Sequence, residues 1–245
     1  MERAALVTGA ASGIGRAIAQ RLVDDGWAVL AVDLNADDRT PGSPFRADLT
    51  TRSGNHDAIA AAVERFGRLD AVIPNAGFQH VSPIEEFSED TWDALVALLL
   101  TSPFLLARAA WPHLRASGDG RIVAIASVHG LVASAFKVAY VSAKHGVVGL
   151  IKALALEGAP HSITATAVCP GVVRTPLVEG QLPGLAETHG ISEEQALTDV
   201  LLASQAVKRL IEPEEVAATV AFLLSPDGRA FTGTSLAIDQ GWTAR

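Results

Sequence analysis

Ala4-Ala-Leu-Val-Thr8-Gly-Ala-Ala-Ser-Gly-Ile-Gly15 passes from an apolar run into a turn with three glycines, and apolar residues then recur at Ile18, Leu22 and Val23. Strand, glycine turn and helix in succession is the context that a phosphate-binding loop requires. Gly9, Gly13 and Gly15 allow positive φ and a close approach of backbone to ligand, and the helix that begins near Ser12 and Ile14 offers free N–H groups to a pyrophosphate. The spacing is Gly-x-x-x-Gly-x-Gly, and a bare glycine-rich turn would read the same way. The next apolar run, Trp27–Val32, ends at Asp33, eighteen residues beyond Gly15. There a carboxylate would accept from both hydroxyls of an adenosine ribose and repel a 2′-phosphate, which favours NAD over NADP. Asp33 also fits as the residue that opens the turn Asn35–Asp38.

Working outward, residues 35–44 are polar and rich in Pro and Gly, so a crossover helix there is expected to be absent or very short. Phe45–Leu49 reads as a third strand, whose Asp48 would meet an adenine amine. His56–Phe66 reads as a helix, and Leu69–Ile73 as a fourth strand running into Pro74-Asn75-Ala76-Gly77. Alternating strands and helices imply an α/β fold, a Rossmann-type doubly wound parallel sheet of about seven strands with helices on both faces and ligands at the strands' carboxyl ends. The segment from Ser88 to Leu114 is apolar nearly all round and carries Pro103, which is expected to kink or split a buried helix. Arg121–Ala126 and Ile163–Val168 are further strands, and Ser235–Ile238 is the last. Between Arg174 and Arg209 the pattern changes: Pro176, Pro183 and Gly184 give an irregular piece, and Ser192–Gln195 is a capping box. This insertion, about 176–209, fits a lid over a ligand or a packed surface excursion.

The 245 residues are 49% hydrophobic, enough for a large core, and no linker divides them, so residues 1–245 are expected to form a single domain. A formal net charge of −8 without a basic cluster argues against nucleic acid. The one cysteine, Cys169, follows an apolar run and reads as a small core residue, which suits a reducing cytosol. The N-terminus carries no signal-peptide pattern, and no uninterrupted apolar run of about 18 residues appears. The expectation is a soluble cytoplasmic protein without a membrane partner.

Ser127–Lys144, Ser-Val-His-Gly-Leu-Val-Ala-Ser-Ala-Phe-Lys-Val-Ala-Tyr-Val-Ser-Ala-Lys, carries the chemistry. Tyr140 and Lys144 lie four apart, one above the other on a helix face. The ammonium is expected to favour the phenolate and lower the tyrosine pKa, tuning Tyr140 as general acid or base. Ser127, at the end of a strand, could bring its hydroxyl to the same oxygen. Alone, the pair also fits a solvated helix face.

Together these residues resemble the short-chain dehydrogenases/reductases. The match consists of Thr8–Gly15, Asp48-Leu49, Asn75-Ala76-Gly77, Ser127 with Tyr140-x-x-x-Lys144, and Pro170-Gly171-x-Val173-x-Thr175, in family order over the whole chain. The resemblance implies that Ser127 binds the reacting oxygen, Tyr140 exchanges its proton, and Lys144 tunes the tyrosine and holds the nicotinamide ribose, with Val173 and Thr175 at the carboxamide. The family often has an asparagine on the long helix, in a proton relay to the lysine; Leu99 stands there and can neither donate nor accept. Within the family the chain is most similar to bacterial (R)-3-hydroxybutyrate dehydrogenases, through Gln79-His80-Val81, Val128–Ser134, Lys137, Ala143–Val148, Val173–Glu179, Gln181 and the Gly241–Arg245 tail. That likeness implies that Gln79, His129, Lys137 and Gln181 hold a small carboxylate substrate, that no metal is required, and that the protein is a homo-oligomer, by resemblance a tetramer. Other small hydroxy or keto acids, ketones and 3-oxoacyl thioesters are the alternative substrates, and an idle NAD-binding protein is the remote one. His80 and His145 are expected to be structural.

Overall fold

A computed structural model describes residues 2–244. Met1 and Arg245, the ends of the N-terminal stretch and of the aromatic tail read above, lie outside them. Seven parallel strands form one sheet: β1 (Ala4–Thr8), β2 (Ala28–Asp33), β3 (Ser43–Arg46), β4 (Ala71–Ile73), β5 (Gly120–Ile125), β6 (Ile163–Pro170) and β7 (Ser235–Ile238). Their order is β3-β2-β1-β4-β5-β6-β7, so the chain changes direction between β1 and β4. In such sheets the crevice beyond the strand ends at this switch point is where ligands bind. The helices are α1 (Gly13–Asp24), α2 (Arg52–Phe66), α3 (Glu89–Val96), α4 (Ser102–Ser117), α5 (Val138–Gly158), α6 (Pro176–Glu179), α7 (Leu182–His189), α8 (Glu193–Gln195) and α9 (Pro213–Leu224).

The five inner strands are buried on both faces, as their largely apolar sequences require, whereas the edge strands β3 and β7 are partly exposed. One face packs Ile59, Ala62, Leu106, Leu114, Val147 and Ile151 from α2, α4 and α5. The other packs Ile18, Leu22, Val216 and Val220 from α1 and α9. The α3–α4 and α5 segments are long and apolar enough to cross a membrane, yet in this fold their inward residues are core against the sheet.

Two sequence expectations shift and a third is met. The third strand spans Ser43–Arg46 rather than 45–49, because the side chain of Asp48 caps Thr50 N at 2.9 Å and turns the chain out of the sheet. Its Pro44 is tolerated because β3 is an edge strand. The following helix begins at Arg52, four residues early, since Thr51 accepts from Gly54 N and caps it, a contribution of about 1 kcal/mol. The long helix does split: a π turn at Ala97–Thr101 separates α3 from α4, and Pro103, in the first turn of α4, has no N–H to lose there. Residues 35–42 carry no helix, as expected.

Candidate active site

The glycine loop and the end of β4 are tied directly together. Thr8 Oγ1 accepts from Asn75 N and Ala76 N, both at 2.9 Å, and Asn75 Nδ2 donates to Thr8 O at 2.8 Å. A Cβ at Gly9 would lie 2.8 Å from Asn75 Nδ2, and one at Gly15 would lie 2.1 Å from Gly9 O. Gly9 and Gly13 hold φ of 68° and 51°, so both packing and backbone demand glycine. Ser12 sits at the N-cap of α1 without using its side chain as a cap, and the first turn carries no acid. The leading N–H groups and the positive dipole end therefore remain available to an anion. The loop after β6 converges on the same place, since a Cβ at Gly13 would lie 3.1 Å from Thr175 Cγ2. This cradle fits a dinucleotide pyrophosphate.

Asp33 lies at the tip of β2, where its carboxylate accepts from Ala11 N at 3.1 Å and from Asn35 N at 2.9 Å. It thus fixes the loop and opens the turn at once, so the two readings of this residue are compatible. The acceptors of Asp48 face Thr50, whose hydroxyl and N–H hold the carboxyl below its usual range, while Leu49 is buried in the core. Val173 forms a bridge to Ile211, and Gly171 N donates to Ile238 O. A residue that sequence reasoning passed over supports this segment from beneath. Gln205, fully buried, accepts from Val172 N and donates to Val207 O and Arg209 O. Its only sequence signal was a lone glutamine among apolar residues.

Ser127 follows β5, where its Oγ accepts from His129 N at 3.1 Å and starts a tight turn. Tyr140 lies in the first turn of α5, with its hydroxyl close enough to Ser127 for that side chain to bear on its ionisation. Lys144, one turn on, is buried and donates from Nζ to Ile125 O at 2.8 Å, with Nζ 5.6 Å from the Tyr140 ring centre. Serine, tyrosine and lysine are therefore together, but the expected lowering of the tyrosine pKa is overturned. Burial pushes Tyr140 up and Ser127 only partly opposes it, while the Lys144 ammonium is turned to a main-chain carbonyl. Burial also pushes Lys144 down to about 8. Cys169, the expected core residue, is buried and pushed up to about 11 by desolvation, which makes it a poor nucleophile.

Leu99 lies in the π turn, packed with Leu95, Ala139 and Ala143 beside Tyr140. A Cβ at Gly77 would lie 2.6 Å from its Cδ2, so that glycine makes the room Leu99 occupies. A cavity of about 10 Å³, bordered by Thr8, Asn75, Leu99, Ser102 and Lys144, lies below the lysine.

His129 is buried, with its ring edge-on to Tyr140 at 6.0 Å and to Trp242 at 5.5 Å. Its Nε2 lies 2.8 Å from Ser134 Oγ. Burial first, then the charges of Lys137 and His145, push its pKa down to about 4, so Lys137 lies within electrostatic reach and the imidazole is neutral at pH 7. Lys137, at the N-cap of α5, is itself lowered by burial. Gln79 follows Phe78, which packs on the Tyr140 cluster, and its Nε2 is buried without a hydrogen-bond partner among the described residues. Gln181 stands at the head of α7 in the insertion. Val178, three residues before it, packs with Leu197, Leu202 and Trp242. Trp242 thus joins the insertion to His129, a link that its place in the C-terminal tail did not reveal. His80 meets Phe87 edge-on and His145 Nδ1 meets Val141 O, contacts that belong to packing and to the helix.

Comparison with known proteins adds names to this geometry. A family model described as enoyl-(acyl carrier protein) reductase matches residues 9–243. The chain is 42% identical over 258 aligned residues to the D-beta-hydroxybutyrate dehydrogenase of Rhizobium meliloti, covering 100% of both chains. It is 40% identical to the D-beta-hydroxybutyrate dehydrogenase of Cupriavidus necator, covering 99% of this chain and 98% of that one. The solved structure of a point variant of actinorhodin polyketide ketoreductase with NADPH superposes with a TM-score of 0.92 at 32% identity, over 100% of this chain and 98% of that one. With the glycine cradle, the switch-point crevice and the Ser127–Tyr140–Lys144 grouping in place, the chain belongs to the short-chain dehydrogenase/reductase family, and it is an oxidoreductase.

Proposed function

We propose that this enzyme interconverts (R)-3-hydroxybutyrate and acetoacetate with NAD. The observation that carries the proposal is the polar grouping around Tyr140: a lysine and a neutral histidine share one neighbourhood, and a buried glutamine donor beside it has no protein partner among the described residues. A buried amide donor left unpaired costs free energy that an anionic ligand would recover. Lys137 supplies the charge, while Gln79, His129 and Gln181 supply direction. Fixing the carboxylate in this way presents the hydroxyl carbon to Tyr140 and Ser127. The two hydroxybutyrate dehydrogenases among its relatives agree with this reading.

Gly9, Ser12, Gly13, Ile14 and Gly15 would hold the pyrophosphate, Asp33 the adenosine ribose, and Asp48 and Leu49 the adenine. Asn75, Ala76, Gly77, Tyr140, Lys144, Pro170, Gly171, Val173 and Thr175 would border the nicotinamide half. A nicotinamide dinucleotide bound there supplies the acceptor and donor of hydride. Asp33 supports NAD because its carboxylate would repel a 2′-phosphate. In the reductive direction the protonated Tyr140 gives its proton to the substrate oxygen while Ser127 steadies that oxygen; in the oxidative direction the phenolate takes the proton back. Residues 176–209 act as a lid that brings Gln181 to the carboxylate. A cytosolic homo-oligomer suits the lone buried cysteine and the exposed Trp92, Phe104 and Leu156 on α3, α4 and α5.

The test is Lys137→Ala, assayed with 3-hydroxybutyrate and with butan-2-ol. KM for the acid is expected to rise about tenfold or more, the order of one charge-assisted hydrogen bond, with little change for the alcohol. An unchanged KM for the acid would remove Lys137 from the site. Equal use of acid and alcohol by the wild type would remove carboxylate recognition altogether.

A further inference from the structure

Ser134 has no role in the reading above, yet it makes the one side-chain hydrogen bond to His129 among the described residues, at 2.8 Å from Nε2. A neutral imidazole carries a single proton, on one nitrogen or the other, and the partner of each nitrogen decides which. His129 is buried between the rings of Tyr140 and Trp242, and its main-chain N–H is taken by Ser127. Ring position is therefore set by packing, and only the proton's place is left open. Serine can donate or accept. If Nε2 held the proton, Nδ1 would be a bare lone pair, repelling a carboxylate that brings only lone pairs of its own. If Ser134 donates to Nε2, Nδ1 becomes an N–H. Among the described residues Nδ1 has no hydrogen-bond partner, so that proton is free for a ligand.

We infer that Ser134 is a positioning residue that donates its hydroxyl proton to His129 Nε2 and holds the ring as the Nδ1–H tautomer, an uncharged donor for the substrate carboxylate. The 2.8 Å contact makes Ser134 the partner of Nε2, and the choice of the Nδ1–H form rests on the carboxylate substrate proposed above. A consequence is division of labour. Lys137 provides attraction to any anion, whereas a fixed neutral donor rewards only an anion with a lone pair in the right direction. Selectivity among small acids then depends on Ser134, a residue that would not touch the substrate.

The test is nitrogen NMR of the full-length protein labelled with ¹⁵N-histidine, in which the two tautomers give distinct ring shifts and couplings, with His129 assigned by a His129→Asn variant. Wild type is expected to show His129 as Nδ1–H, and Ser134→Ala to move it towards Nε2–H, the form favoured in water. Ser134→Thr, which keeps the hydroxyl, is expected to restore Nδ1–H. Steady-state assays of the same variants are expected to show KM for 3-hydroxybutyrate raised about tenfold in Ser134→Ala, kcat within about threefold, and KM recovered in Ser134→Thr. A wild-type ring in the Nε2–H form, or one that Ser134→Ala leaves unaltered, would overturn the assignment. The expected NMR result in a protein that does not turn over 3-hydroxybutyrate would leave the tautomer standing and fell the substrate proposal. Turnover with a shifted ring but an unchanged KM would remove Ser134 from substrate binding.

Discussion

The two walls of the site are built differently. The wall formed by β5, the turn after it and α5 sets Ser127, Tyr140 and Lys144 on elements whose inward residues are closely packed core, and its polar groups find partners in buried backbone. The opposite wall, 174–212, consists of short helices joined by turns, and ion pairs of half-exposed side chains within it, Arg174 with Glu212 at 3.0 Å and with Glu179 at 3.7 Å, join its two ends. Rigid support suits proton transfer, which tolerates little misplacement, whereas short helices joined by turns and half-exposed ion pairs suit a wall that shapes access. The contrast implies that chemistry fails when the first wall is touched, and that the second wall changes mainly access and selectivity.

Tyr140→Phe strikes the first wall and should have the largest effect. Turnover is expected to fall by about 10² to 10⁴, the usual contribution of a general acid or base, while NADH affinity measured by fluorescence titration changes little. Undiminished turnover would break the comparison at its root. Because burial holds Tyr140 above its ordinary pKa, the phenol is protonated at neutral pH. In the wild type, kcat for acetoacetate reduction is therefore expected to fall with rising pH and kcat for oxidation to rise, which pH profiles in both directions check.

A middle-sized effect concerns the buried ammonium. Lys144 titrates near 8 in the folded protein against 10.5 ordinarily, so between those values the unfolded chain binds more protons and stability must rise with pH. The difference in Tm between wild type and Lys144→Met is expected to move in favour of the wild type by several degrees across that window and to stay flat below pH 7. A flat difference throughout would mean that the lysine is not desolvated as described. The smallest effect belongs to the second wall. Arg174→Gln is expected to lower Tm by only about a degree or two at low salt and by nothing measurable at molar salt, as exposed ion pairs behave. A loss as large as that from a core substitution would erase the distinction between the walls.

The reach of sequence reasoning follows the same division. Parallel strands with continuous apolar runs and the glycine turn were legible because local pattern and tertiary burial agree there. The break in the long helix was legible from Pro103, but the π turn that precedes it was not, since only packing decides where strain is taken up. Boundaries moved where a side chain caps the backbone, as Asp48 and Thr51 do. The Tyr140–Lys144 spacing was legible and its electrostatics were not. Spacing says that two groups share a helix face, but the direction of the ammonium and the depth of burial belong to the fold. For the same reason the roles of Gln205, Ser134 and Trp242 were not legible. Their roles arise from contacts between segments far apart in the chain or from a turn whose shape is set by its surroundings.

The central claim, that a carboxylate grip serves the Tyr140 centre, is tested most directly by following NADH formation from NAD with the two enantiomers of 3-hydroxybutyrate. Rapid NADH formation from the (R) acid and little from the (S) acid is the expected result. No NADH from either acid, or preference for the (S) form, would contradict it.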